Sequence, residues 1–112
     1  MSTNTDISPR VNSAHMQRFI GKTVRLPCKI KTYSSDGGSA TVTTSDDGEV
    51  VVQLIRDTKF TSTYAEFIGT VVDAGTLKMM AVVGMGEDLD LSLVNKVVEV
   101  IHDKRFFERI FS

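Results

Sequence analysis

Arg25, Lys29 and Lys31 share one parity along an extended segment, Tyr33 continues it, and Lys22 stands just before. Side chains two apart in a strand point to the same face. These residues would therefore line one surface with cations and end it with an aromatic ring. Cations meet phosphates and a ring stacks on a base, the ingredients of a single-strand platform. A solvated sheet face has the same composition, and two features favour that plainer reading. The next two strands offer Thr, Ser, Val and Gln where such a platform places aromatics, and the later loop Ala74-Gly75-Thr76 is too short to clasp a strand. Nucleic-acid contact by Arg25, Lys29, Lys31 and Tyr33 is expected to be weak and mainly to phosphates. With 13 Lys+Arg against 14 Asp+Glu, the net charge of -1 excludes a grip by bulk charge alone.

Reaction chemistry is sparse. His15 reads as a surface residue of a first helix and His102 as part of the polar side of a last one, neither with a partner at metal-ligand spacing. Cys28 falls on the inward parity of its strand and reads as a small core residue. A single cysteine excludes an internal disulfide framework and suggests a reducing compartment. Gly84-Met85-Gly86 lacks the third glycine of a dinucleotide fingerprint and reads as a flexible joint. Asp46-Asp47 sits in a turn, where aspartate suits the backbone, and no nucleophile elbow is present. The expectation is a protein without catalytic residues, metal or cofactor, and not an enzyme.

The elements that must position these groups follow from periodicity. At 112 residues, 41% hydrophobic and 24% charged, the chain fits one globular domain. Its start lacks the basic and apolar regions of a secretory signal. Apolar runs such as residues 79–83 fall far short of the ~20 residues that span a bilayer, so no membrane association is expected. Residues 1–10 read as a flexible N-terminal arm. A short helix follows, capped by Asn12 or Ser13, with Val11, Met16, Phe19 and Ile20 on its apolar side and Gly21 ending it. From Thr23 the period becomes two: Val24, Leu26, Cys28 and Ile30 alternate with polar residues, and Pro27 predicts a bend or bulge. Asp36-Gly37-Gly38 is a turn, residues 40–45 a second strand, Asp46-Asp47-Gly48 a hairpin turn, and residues 50–55 a third strand. After a polar connection over residues 56–63 come strands at residues 64–73 and 77–83, with Gly69 marking a sharp bend. Five short strands that hide their edges by closure predict a mainly β fold, a five-stranded OB-fold barrel over residues 11–86.

Residues 87–112 break that period. Asp90 or Ser92 caps a helix running to about residue 103. Setting Leu91 at 0°, Val100, Leu93, Val97, Ile101, Val94 and Val98 occupy about 180° to 340°, while Asn95, Glu99, His102, Ser92, Lys96 and Asp103 fill about 20° to 140°. The apolar arc is thus about half the cylinder, whereas docking on one small barrel needs a stripe of about 100°. The excess is an exposed strip unless another chain covers it. The arc fails beyond Asp103, so Phe106, Phe107 and Phe111 form a separate apolar tail. Either helix and tail fold back over the barrel, or they form an oligomerisation element; the width of the arc favours the second.

With these elements placed, the chain resembles the family of the small, third subunit of replication protein A, the heterotrimer that coats single-stranded DNA. The resemblance rests on Pro9-Arg10-Val11-Asn12-Ser13-Ala14-His15-Met16 with Phe19-Ile20-Gly21-Lys22, and on the run from Asp90-Leu91-Ser92-Leu93-Val94-Asn95 through Ile101-His102-Asp103. It implies an OB-fold whose C-terminal helix joins one helix from each of two larger OB-fold subunits in a three-helix bundle. It also implies an organising role, with single-stranded DNA held mainly by the partners, in replication, repair and recombination in the nucleus. Val94, Val97, Val98 and Ile101 are carried over as interface residues, with Leu91, Leu93 and Val100 shared between partner and own barrel. The alternatives are a stand-alone or a telomere-associated OB-fold nucleic-acid-binding module.

Overall fold

A computed structural model describes residues 8–34, 38–55 and 62–102. The first seven residues of the expected arm, most of the Asp36-Gly37-Gly38 turn, residues 56–61 of the polar connection and the Phe-rich tail lie outside the described residues. Five strands, β1 (Thr23–Tyr33), β2 (Ser39–Thr44), β3 (Glu49–Gln53), β4 (Tyr64–Asp73) and β5 (Thr76–Gly86), close into a barrel in the order β1-β2-β3-β5-β4. Neighbours run antiparallel except β3 and β5, which run parallel over a short ladder. One helical turn, α1 (Ser13–Met16), precedes the barrel and one longer helix, α2 (Leu91–Ile101), follows it.

Alternation decides the core. Val24, Leu26 and Cys28 of β1, Ala40 and Val42 of β2, Val50 and Val52 of β3, Ala65, Phe67 and Val71 of β4, and Leu77 and Met79 of β5 turn inward and are buried. Burying a side chain such as Phe67 or Leu26 contributes about 1.5–3 kcal/mol, so the barrel is the stable body on which the rest hangs. Burial also pushes the Cys28 thiol up, away from the thiolate, with a smaller contribution from the Glu66 charge. Its Sγ donates to the Ala65 carbonyl at 3.5 Å, and such a thiol packs rather than reacts.

The strands differ from the periodic reading in three places. Gly84-Met85-Gly86 is no joint: β5 continues through it, Gly84 opposite Ala65 and Gly86 opposite Tyr64. No bulge falls at Pro27: the ladder to β4 runs through it in register, opposite Glu66, and the ladder to β2 begins only at Cys28. The bulge falls instead between Ile30 and Thr32. Gly69 does mark an irregularity, a register shift between Ile68 and Gly69. A Cβ there would meet the Lys78 carbonyl oxygen at 2.2 Å, so only glycine lets β4 and β5 approach.

The N-terminal segment is tied to the barrel as far back as its description reaches. Arg25 donates its N–H to the Pro9 carbonyl and Val11 donates to the Arg25 carbonyl, both at 2.9 Å. Arg10 Nε donates to Glu66 Oε1 at 2.7 Å, neutralising a carboxylate that is buried on the barrel wall. Residues 8–10, expected within the arm, therefore form a strap along β1.

Gly69→Ala should destabilise the chain by about 2–3 kcal/mol, because the obstacle is backbone rather than a movable side chain. Urea unfolding should show the midpoint fall with little change in slope; an unchanged midpoint would contradict the close approach.

Candidate interaction interface

Helix α2 is started by Asp90, whose side chain accepts from the N–H groups of Ser92 at 3.1 Å and Leu93 at 3.2 Å. The Ser92 hydroxyl donates to the same carboxylate, and these bonds hold Asp90 below the usual carboxylate range. A capped start matters here, since an isolated helix of this length is marginal in water.

The helix packs against β1, but not as its amphipathic pattern suggests. Val98 is its one fully buried residue. Around it, the polar side turns inward. Asn12 Nδ2 donates to Asn95 Oδ1 at 2.8 Å and to Glu99 Oε2 at 2.6 Å. The Ser45 hydroxyl donates to Asn95 Oδ1 at 3.0 Å. His15 Nε2 lies 3.1 Å from both Glu99 carboxylate oxygens, and His102 Nε2 donates to the Arg10 carbonyl at 2.8 Å. The rings of His15 and His102 stack with centroids 4.3 Å apart, and Phe19 meets His102 edge-on. His15 is thus no plain surface residue, and His102 belongs to the docked side of its helix. Hydrogen bonds from Asn12 and then His15 hold the Glu99 carboxyl below its ordinary range, while desolvation pushes the His102 imidazole below its own.

The opposite side is bare and apolar. Leu93, Val97 and Val100 are 58%, 46% and 51% exposed. They stand at i, i+4 and i+7, one continuous stripe. Leu91, Val94 and Ile101 border it and are half-buried. The seven expected interface residues therefore divide. Val98 is already fully buried in this chain alone and leaves no surface for a partner. Leu93, Val97 and Val100 form the open surface, and Leu91, Val94 and Ile101 lie between.

Asp46 plays a part that its turn position did not suggest. Its carboxylate accepts from the Ser13 and Ala14 N–H groups and from the hydroxyls of Ser13 and Thr44. Burial raises its pKa, but these bonds outweigh burial and leave it below the ordinary value. The β2–β3 turn thereby holds α1, which in turn supplies Asn12 and His15 to α2.

The basic residues do not make one stripe. The bulge after Ile30 slips the alternation by one residue, so Tyr33 stands opposite Ala40, whose side chain is buried. Residues directly opposite share a face, and Tyr33 therefore turns away from the face of Arg25 and Lys29. Lys31 occupies the bulge and pairs with Glu49. Arg25 is half-buried beside the strap. What remains outward is Lys29, whose ammonium lies 6.0 Å from the ring centroid of Tyr64. Tyr64 was missed in the sequence because register alone places it opposite Lys29. Among the described residues no cluster of three or more His, Cys, Asp or Glu is placed to hold a metal ion.

Comparisons with known proteins bear on this geometry. A family model described as Replication factor A protein 3 matches residues 1–107. Among solved structures, a chain of the Ustilago maydis replication protein A bound to single-stranded DNA is similar, with 30% identity, a TM-score of 0.81, and 94% of this chain and 95% of that chain covered. The Schizosaccharomyces pombe Stn1–Ten1 complex gives 10% identity and a TM-score of 0.67, covering 85% of this chain and 91% of that one. The telomere capping protein Ten1 from the same yeast gives 11% identity and a TM-score of 0.65, covering 85% and 97%. At such identities the last two share the fold alone. Comparison with curated proteins finds no match.

The division of α2 predicts opposite outcomes for neighbouring valines. Val98→Ala should weaken the isolated chain by about 1–2 kcal/mol, whereas Val97→Ala should stay within about 0.5 kcal/mol. Equal losses in urea unfolding would refute the division.

Proposed function

The chain belongs to the Replication factor A protein 3 family, and we propose that it is the small structural subunit of a heterotrimeric single-stranded-DNA-binding complex, organising the assembly through α2. The observation that carries this reading is the inverted docking of that helix. Its polar side is spent on its own barrel, and Leu93, Val97 and Val100 are left in water. Leaving such a strip bare is unfavourable by the area it exposes. Helices with the same need bury it, because i, i+4, i+7 positions fit as knobs between the side chains of a facing helix. Two larger OB-fold subunits, each contributing one helix to a three-helix bundle, satisfy the strip and its half-buried borders Leu91, Val94 and Ile101.

In this role the subunit brings its partners together and has no reaction of its own to catalyse. DNA is held mainly by the partners, since β2 and β3 present Thr, Ser, Val and Gln outward and the cationic stripe is broken by the bulge at Lys31. The work of the complex is replication, repair and recombination in the nucleus. A second reading, weak nucleic-acid contact by this chain alone, draws support only from Lys29 beside Tyr64.

Leu93→Asp with Val97→Asp places carboxylates where partner helices would desolvate them, at a cost of about 3–5 kcal/mol. The doubly substituted chain should fold normally when isolated, because both sites are exposed, and should fail to copurify with the larger subunits. Copurification at the yield of the unaltered chain would sink the proposal. Lys29→Glu with Arg25→Glu should leave single-stranded-DNA affinity of the assembled complex within about twofold; a larger, salt-dependent loss would favour the second reading.

A further inference from the structure

The inward side of α2 raises a question of its own: why a helix this apolar should be held to its barrel by an amide, a carboxylate and an imidazole. An apolar contact would hold as firmly but would compete for the residues the strip needs. Polar groups fix rotation instead, because each bond is satisfied at one orientation only. Asn95, Glu99 and His102 stand at i, i+4 and i+7, and their partners come from two separate segments of the chain: the Arg10 carbonyl, Asn12 and His15 from residues 10–15, and Ser45 from the β2–β3 turn. Rotating the helix by one residue breaks them together.

We infer that Asn95, Glu99 and His102 are positioning residues for assembly: with Asn12 and His15 they form a polar clasp that fixes which side of α2 is offered to a partner, and this clasp opens in acid. The inference rests on the proposed function for its consequence, but the clasp itself is a property of the isolated chain.

The acid sensitivity follows from the charges that meet there. From α1 and the turn after it come His15 and Arg18; from α2 come Glu99 and His102; the strap contributes a carbonyl oxygen, its Arg10 side chain being turned to Glu66. Arg18 contacts His15 Nδ1, and since a guanidinium can only donate, that nitrogen must be the acceptor and Nε2–H must face Glu99. His102 uses Nε2–H on the Arg10 carbonyl. With both rings neutral, the Arg18 and Glu99 charges cancel. A proton added to His102 puts a positive charge on a ring stacked 4.3 Å from that of His15, beside Arg18. The His102 imidazole is held below its ordinary value of 6.5, chiefly by desolvation, with the charges of His15 and Arg18 adding to it. A base depressed in the docked state contributes its full stabilisation above 6.5 and loses it as pH falls through the lowered value. Glu99 is lowered from 4.5, so it stays ionised through that window and does not confuse the result.

The test uses the full chain and two readouts, the NMR shift of the Val98 methyls, which are buried only while α2 is docked, and capture of the larger subunits. In the unaltered chain the Val98 signals should be dispersed at about pH 7.5 and move towards unstructured values at about pH 5. Asn95→Ala and His102→Ala should undock the helix about tenfold at neutral pH, although alanine favours helix, and should weaken partner capture severalfold. His102→Gln, which keeps a donor for the Arg10 carbonyl but does not titrate, should restore docking and remove most of the pH dependence. Val98 signals unmoved between the two pH values would overturn the inference. So would helices that undock in Asn95→Ala while partner capture stays unchanged. Neither result touches the apolar strip, whose own test is the Leu93→Asp and Val97→Asp pair.

Discussion

Asn12 is completely buried, and both polar atoms of its side chain are hydrogen-bonded. Its Oδ1 caps α1 by accepting from the His15 N–H, and its Nδ2 reaches Asn95 and Glu99 on α2. A buried amide left without partners costs about 1–3 kcal/mol. The N-terminal turn and the C-terminal helix are therefore coupled: each completes the other's hydrogen bonding. Among the described residues no buried side-chain nitrogen or oxygen lacks a partner. That satisfaction depends on α2 lying with its polar side inward, and the exposure of Leu93, Val97 and Val100 is the direct consequence.

The barrel's part is to supply fixed points for this arrangement. Closure of five strands leaves the outer wall free to bind the strap, whose Pro9 and Val11 pair with Arg25. The strap then offers the Arg10 carbonyl to His102. The β2–β3 turn, through Asp46, anchors Ser13 and Ala14. Gly48 in that turn lies so close to α1 that a Cβ would meet Ser13 Oγ at 2.0 Å. The seat of α2 thus depends on a hairpin turn far from it in sequence, because the turn sets where α1 sits.

The same structure explains why the outer face of β1 makes a poor platform for a nucleic-acid strand. One bulge residue turns Tyr33 to the other face and leaves Lys31 to a carboxylate neighbour. A platform needs rings and cations in register; here a single cation and ring, Lys29 and Tyr64, meet across two strands. The proposed division of labour, with assembly on this chain and DNA on its partners, agrees with where the apolar and cationic surfaces fall.

Much of this was legible from residue order. The two-residue period placed five strands within a few positions, Asn12 and Asp90 were among the residues offered as helix caps, and Gly69 marked a break in the fourth strand. The angular spread of apolar residues on the last helix was enough to require an exposed strip, since it is a local property of the helix. Which edge of that arc stays bare was not local. Periodicity assigns polar residues to solvent by default, and Asn95, Glu99 and His102 carry no mark of partners more than eighty residues away. Only tertiary structure could bring Asn12 beneath them and bury Val98. Bulge position and cross-strand register were hidden for the same reason: both are set by pairing between distant segments, and a slip of one residue exchanges the faces of every side chain beyond it.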